Sequence, residues 1–243
     1  MTVLEYLRSR LAEGKVHLSL LDPDKLTPRE AGEVAFRAQL AGSDGIMVGG
    51  STGVTPQGTD AAVRAIKDRV RLPVILFPAG AHALSRYADA VYFMSMLNSQ
   101  DVRMIVGEQA KAARAIKAWG LETIPMGYLI VEPGMRVGEV GHAKPIPRGD
   151  VEQAVQYALT AQFLGMQLVY LEAGSGAPEP VPPAMVSAVR REIAIPLLVG
   201  GGIRTPEDAG EIARAGADAV VTGTVIEQDQ ARLQAIVDAV KGL

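Results

Sequence analysis

Eight short apolar, β-branched-rich runs, separated by stretches of helical periodicity, decide what this chain can fold into. They span residues 16–22, 45–50, 74–78, 90–96, 123–132, 167–174, 196–202 and 219–223. Most are almost continuously hydrophobic, as expected of parallel strands buried on both faces. Helical patterns lie between them at 28–40, 60–70, 101–119, 151–164, 206–215 and 228–240. Their starts are punctuated: Thr27-Pro28-Arg29-Glu30 supplies an N-cap, an N1 proline and a capping-box acid, and Thr205-Pro206-Glu207-Asp208 repeats the arrangement. Gly42, Gly120, Gly165 and Gly216 stand where helices end. Strict β-then-α alternation implies a parallel sheet with right-handed crossovers. Eight units close a barrel, whereas five or six would leave an open sheet. The 243 residues are therefore expected to form a single domain, 1–243, an α/β chain folded as a (β/α)8 TIM barrel.

One segment breaks the alternation. Residues 133–150, containing Gly134, Gly138, Gly141, Pro145 and Pro147, read as a long loop after the fifth strand, and long loops in compact domains often act as lids. Composition narrows the function classes. A net charge of −3 offers no basic footprint for nucleic acid. The absence of cysteine rules out disulfides, thiolate nucleophiles and cysteine metal sites, and fits a cytoplasmic protein. No apolar run reaches the roughly 18 residues of a membrane span. The first eight residues look like an amphipathic helix, unlike a signal peptide. Membrane contact is expected to be peripheral at most.

Five strand ends carry polar or glycine-rich signatures, and in a barrel such ends converge on one catalytic face. Gly200-Gly201-Gly202 and Thr222-Gly223-Thr224 close the seventh and eighth runs, just before helical patterns. Glycine lets the backbone approach a ligand, and a following helix adds free N–H groups and a favourable dipole, which together suit a phosphate. Gly174-Ser175-Gly176 offers a further set of donors, so the phosphate site is expected at strands 6–8. Asp22-Pro23-Asp24 places two carboxylates at the first strand end. These form either a plain aspartate turn with an exposed Lys25 or, with the Ser51 hydroxyl on the adjacent strand, a half-shell for one Mg²⁺. In Tyr170-Leu171-Glu172, alternation sends Tyr170 and Glu172 to one side. Glu172 is then a candidate general base with Tyr170 as orienting hydroxyl; the competing reading pairs Glu172 with a basic neighbour. His17, His82 and His142 show no metal-ligand spacing. The glycine runs match neither a dinucleotide fingerprint nor a P-loop.

With these residues in view, the chain resembles the geranylgeranylglyceryl phosphate synthase family of prenyltransferases. The matching segments are Leu21-Asp22-Pro23-Asp24-Lys25, 45–51, Phe77-Pro78-Ala79-Gly80, 95–99, Gly107-Glu108-Gln109, 170–176 and 199–203, in order through nearly the whole chain. Leu20, where some members have lysine, is similar to the family's second branch, which is associated with larger homo-oligomers. The resemblance implies transfer of a long prenyl group, geranylgeranyl foremost, from its diphosphate to the 3-hydroxyl of sn-glycerol 1-phosphate, a step of archaeal-type ether phospholipid biosynthesis. It implies Mg²⁺ at Asp22 and Ser51, and the proton taken by Glu172. It also implies glycerol phosphate held by Tyr170, Leu171, Glu172, Ala173, Gly174, Ser175, Gly176, Gly201, Gly202, Gly223 and Thr224.

A prenyl tail needs an apolar groove, for which Tyr92, Met94 and Met96 of the fourth run and Met126 and Tyr128 of the fifth are the expected lining. Two alternatives stay open on the residues alone. Another sugar-phosphate barrel, such as an isomerase or lyase, would share the phosphate grip without needing Asp22 and Ser51. A non-catalytic phosphate-ligand sensor would keep the grip and lose the base.

Overall fold

The computed structural model describes residues 1–50, 55–223 and 230–242. Eight parallel strands close a barrel in sequence order: β1 (Val16–Leu21), β2 (Gly45–Gly50), β3 (Val74–Pro78), β4 (Ala90–Met96), β5 (Glu122–Ile130), β6 (Leu168–Glu172), β7 (Leu197–Gly200) and β8 (Ala219–Thr222). β1 pairs with β8 from Val16↔Ala219 to Ser19↔Thr222, so the sheet has no open edge. The expected α/β TIM-barrel fold is the observed one.

The helices are α1 (Val3–Glu13), α2 (Pro28–Leu40), α3 (Pro56–Lys67), α4 (Glu108–Trp119), α5 (Met135–Val140), α6 (Val151–Phe163), α7 (Pro183–Glu192), α8 (Pro206–Ala215) and α9 (Gln230–Lys241). Both capping boxes read from the sequence form, Thr27 with Glu30 and Thr205 with Asp208. Other boundaries shift for local reasons. α3 starts four residues early because Thr55 caps it ahead of Pro56. The pattern at 101–119 divides into a π-helical turn (Arg103–Gly107) and α4. Segment 133–150 is no plain loop. It contains α5, pairs at Val131↔Ile146 and Ser99↔Ala143, and is fastened by Asn98, whose side chain binds both the N–H and the carbonyl of Ile130 and the carbonyl of Lys144.

Alternate strand residues fill the barrel interior: Val16 and Leu18, Met47, Ile75, Tyr92, Met126, Tyr128, Tyr170, Leu198 and Val221. α1 closes the bottom, where Val3 and Leu7 join this core and the Glu122 carboxylate accepts the Val3 and Leu4 N–H groups at 2.6 and 2.9 Å. The opposite strand faces pack on the helices in two separate clusters. One joins β1–β4 to α2, α3 and α4; the other joins β5–β8 to α6, α7 and α8. With the bottom sealed, the C-terminal mouth is where ligands can enter.

Candidate active site

Two cavities adjoin at the mouth. The larger, about 450 Å³, runs from Asp22 and Gly49 past Phe77 and Tyr92, then outward between the short 3₁₀ turn (Ala81–Ala83) and α4 to Val91, Ala112 and Ile116. The smaller, about 180 Å³, is walled by Gly176, Gly201, Gly202, Gly223, Arg204 and Arg232. Leu20, Glu172, Ser175 and Gly223 line both. The glutamate thus stands on the boundary between an apolar groove and a glycine-rich anion pocket.

Glu172 ends β6 and is only 5% exposed. Burial raises its carboxyl pKa above the usual carboxylate range. The Tyr170 hydroxyl and the Gly174 N–H, at 2.7 Å from Oε1, donate to the carboxylate and limit the rise. Among the described residues no basic side chain is seen to pair with it, so the alternative of an ion pair with a basic neighbour is not what these contacts show. Two glycines shape this corner. A Cβ on Gly200 would lie 2.2 Å from the Tyr170 hydroxyl, and Gly201, at φ +82°, sits against the Glu172 carboxylate.

The remaining expected phosphate residues divide by orientation. Gly201, Gly202 and Gly176 have positive φ, a region costly to residues with a Cβ, and line the small pocket with Gly223 and Ser175. Leu171 and Ala173 turn their side chains into the outer core, and the Ala173 N–H and carbonyl bind Gly200 and Gly134. They set the spacing that brings Tyr170, Glu172 and Gly174 to the rim. The Gly174 N–H is committed to Glu172. Thr224 and Ser51 lie outside the described residues.

Asp22 lies just past β1, three-quarters buried, and burial raises its pKa while Lys25 beside it works the other way. The expected turn forms, with the Lys25 N–H donating to the Asp22 carbonyl and Lys25 Nζ 2.5 Å from Oδ2. The turn and the cavity-facing carboxylate therefore coexist. Among the described residues no three His, Asp or Glu side chains cluster to hold a metal unaided. One carboxylate at the rim of a cavity fits Mg²⁺ nonetheless, because that ion keeps waters and takes substrate phosphate oxygens as its other ligands.

In the apolar groove Tyr92, Met94, Met96 and Tyr128 take the expected places, but Met126 does not. It pairs with Leu168 one layer below the Tyr128↔Tyr170 pair and is fully buried in the barrel core. Sequence reading missed the groove's far wall, Leu84, Phe93, Ala112 and Ile116, because it forms only when α4 docks on β3 and β4. It also missed Arg204 and Arg232. Arg204 stands two residues past the glycine triplet and could have been suspected; its guanidinium ties down the Gly176 and Ala177 carbonyls at 2.9 Å. Arg232 reaches the pocket from α9, with no local motif to mark it.

Residues 9–241 match the PcrB family. The chain is 54% identical over 226 residues to a geranylgeranylglyceryl phosphate synthase of Thermococcus gammatolerans, covering 93% of this chain and 90% of the relative. It is 50% identical over 243 residues to the enzyme of the same name from Methanothermobacter thermautotrophicus, covering 100% and 99%. Among solved structures, (S)-3-O-geranylgeranylglyceryl phosphate synthase from Thermoplasma acidophilum, crystallised with its substrate sn-glycerol-1-phosphate, superposes with a TM-score of 0.97 at 48% identity over the full length of both chains. A tryptophan synthase alpha chain from Legionella pneumophila, at a TM-score of 0.63 and 15% identity over 99% of this chain and 97% of the other, shares the fold alone.

Proposed function

The chain belongs to the PcrB family, with geranylgeranylglyceryl phosphate synthases as its relatives, and from that premise we propose how its mouth performs prenyl transfer. It is a prenyltransferase that forms the ether bond between the 3-hydroxyl of sn-glycerol 1-phosphate and geranylgeranyl diphosphate. The observation that carries the residue assignment is the position of Glu172, shared by the apolar groove and the anion pocket.

The acceptor phosphate sits in the small pocket, against backbone N–H groups around Gly176, Gly201, Gly202 and Gly223, with Arg204 and Arg232 at its wall. That placement brings the acceptor hydroxyl to Glu172, which takes its proton as the new C–O bond forms. Tyr170 keeps the carboxylate aimed. The prenyl tail lies in the groove toward Ile116, and its diphosphate stays at the rim by Asp22 and Lys25. Asp22, with Ser51, would hold Mg²⁺, which supplies neutralisation of the charge on the departing diphosphate. Apolar walls keep water from competing for the allylic carbon.

Incubation with labelled geranylgeranyl diphosphate and sn-glycerol 1-phosphate, with Mg²⁺ and with EDTA, tests the reading. A metal-dependent ether product is expected; no product in either arm would overturn it. A mixture of prenyl diphosphates in the same assay fixes the preferred chain length. A homo-oligomer is also proposed, on the exposure of Phe163 and Leu164 at the end of α6, and light scattering tests it. No described helix is long and apolar enough to cross a membrane, and a cytoplasmic location with peripheral contact at most is proposed, to be tested by cell fractionation.

A further inference from the structure

The chain has eleven aromatic residues, and four of them, Phe77, Tyr92, Tyr128 and Tyr170, meet at the barrel mouth. Phe77 is the common member. Its ring centroid lies 6.2 Å from Tyr92, 5.3 Å from Tyr128 and 5.6 Å from Tyr170. The three tyrosines are at most 2% exposed, whereas Phe77 is only partly buried and presents its surface to the cavity. Gly49 makes its seat, since a Cβ there would lie 2.6 Å from the Phe77 carbonyl oxygen and 3.2 Å from Cδ1 of its ring.

Strand register fixes what Phe77 faces. Leu21 pairs with Val48 and Val48 with Leu76, so the next step aligns Asp22, Gly49 and Phe77 across β1, β2 and β3. On its other side the ring touches Tyr170, whose hydroxyl binds Glu172. Phe77 therefore lies between the carboxylate at the diphosphate rim and the base. Next to the ring the wall is formed by Tyr92, Met94, Met96 and Tyr128, while the charged side chains Lys25, Glu108 and Arg136 also line the cavity. Tyr92 Oη and Gln109 Oε1 are buried with no hydrogen-bond partner among the described residues, and Met94, Met96 and Met104 line the same cavity.

We propose that Phe77 is a catalytic residue whose ring stabilises the positive charge that develops on the allylic carbons during transfer. The inference rests on the prenyl-transfer reading above. The C1–O bond to the diphosphate breaks and its electron pair leaves with the diphosphate. The charge left on C1 and C3 lies over the ring, the acceptor oxygen supplies the pair for the new bond to C1, and its proton passes to Glu172. Aromatic faces attract cations most strongly where water is excluded, as in this groove. Tyr128 and Tyr170 hold the ring in place.

Site-specific replacement of Phe77 by 4-fluoro-, 3,5-difluoro- and 3,4,5-trifluorophenylalanine withdraws charge from the ring face at nearly constant shape. The single-turnover rate should fall stepwise, by about tenfold across the series, with KM for both substrates unchanged. Phe77→Leu should lose at least as much. A flat rate series overturns the proposal, as does a series that raises KM for the prenyl diphosphate alone, which would make the ring a tail-binding surface. A wild-type protein that transfers no prenyl group would overturn the underlying reading instead, so the two failures are distinguishable.

Discussion

A Cβ placed on Gly201 would lie 2.3 Å from Oε1 of Glu172. The glycine after β7 is therefore required by the carboxylate of the neighbouring strand as well as lining the small pocket. Gly201→Ala should displace Glu172 and also strain a backbone at φ +82°. Turnover should fall by about 10²-fold or more, while Tm drops only about 2–8 °C. Near-normal kcat in the folded variant would separate the two residues functionally.

Glu172→Gln should lower kcat by about 10²–10⁴-fold with little change in KM, since a base acts in the transition state. Burial raises the Glu172 pKa, and the base works only when ionised. Activity should therefore decline on acidification at a higher pH than an ordinary carboxylate would give, and recover as pH rises through the raised value. A pH–rate profile of the wild type checks this; an acidic limb retained in Glu172→Gln would assign it elsewhere.

Asp22→Asn removes the rim carboxylate and leaves the small pocket intact. Turnover should drop by about 10³-fold with the Mg²⁺ requirement weakened, while calorimetric binding of glycerol phosphate is preserved. Parallel loss of both would place Asp22 with the acceptor.

Arg232→Ala should raise KM for glycerol phosphate by about tenfold, a loss that added salt reduces, with kcat nearly constant. Arg232 is exposed, so screening keeps the effect modest. An unchanged KM would remove α9 from the phosphate pocket.

His17 is fully buried outside the barrel interior, bridging Ser43 and Thr222 at 2.9 Å each, and burial lowers its pKa to about 4 despite the nearby Asp44. The unfolded chain, with its histidine near 6.5, holds that proton more tightly. The stability this provides is complete above pH 6.5 and is lost as pH falls toward 4, by about 3 kcal/mol. Denaturant melts at pH 7 and pH 5 should show the decline in wild type and a shallower one in His17→Gln; equal slopes would clear His17 of the effect.

Much of this was legible in the sequence because it is local. The bounds of β2, β3, β4, α2 and α8 coincide with the hydrophobic periods and caps that announce them. The acidic strand end at Asp22 and the glutamate at Glu172 were visible because barrel topology places every strand end on one face. What was not legible depends on packing between distant segments. Met126 alternates correctly to point inward but lies one layer too deep to meet the groove. Asn98 fastens segment 133–150 through contacts 32 and 46 residues away, which no spacing reveals. The same holds for the meeting of Phe77 with three tyrosines from other strands.

The packing between barrel and helices is split into two clusters, and each backs one pocket. Val91, Ala112 and Ile116 of the first line the prenyl groove, and Ile203 of the second lines the anion pocket. The far end of the groove and the small pocket thus rest on different halves of the outer core, even though Leu20, Glu172, Ser175 and Gly223 line both cavities. Substitutions at Val91, Ala112 or Ile116 would reshape the far end of the groove without touching the small pocket, a freedom open to a lineage or to a directed-evolution library.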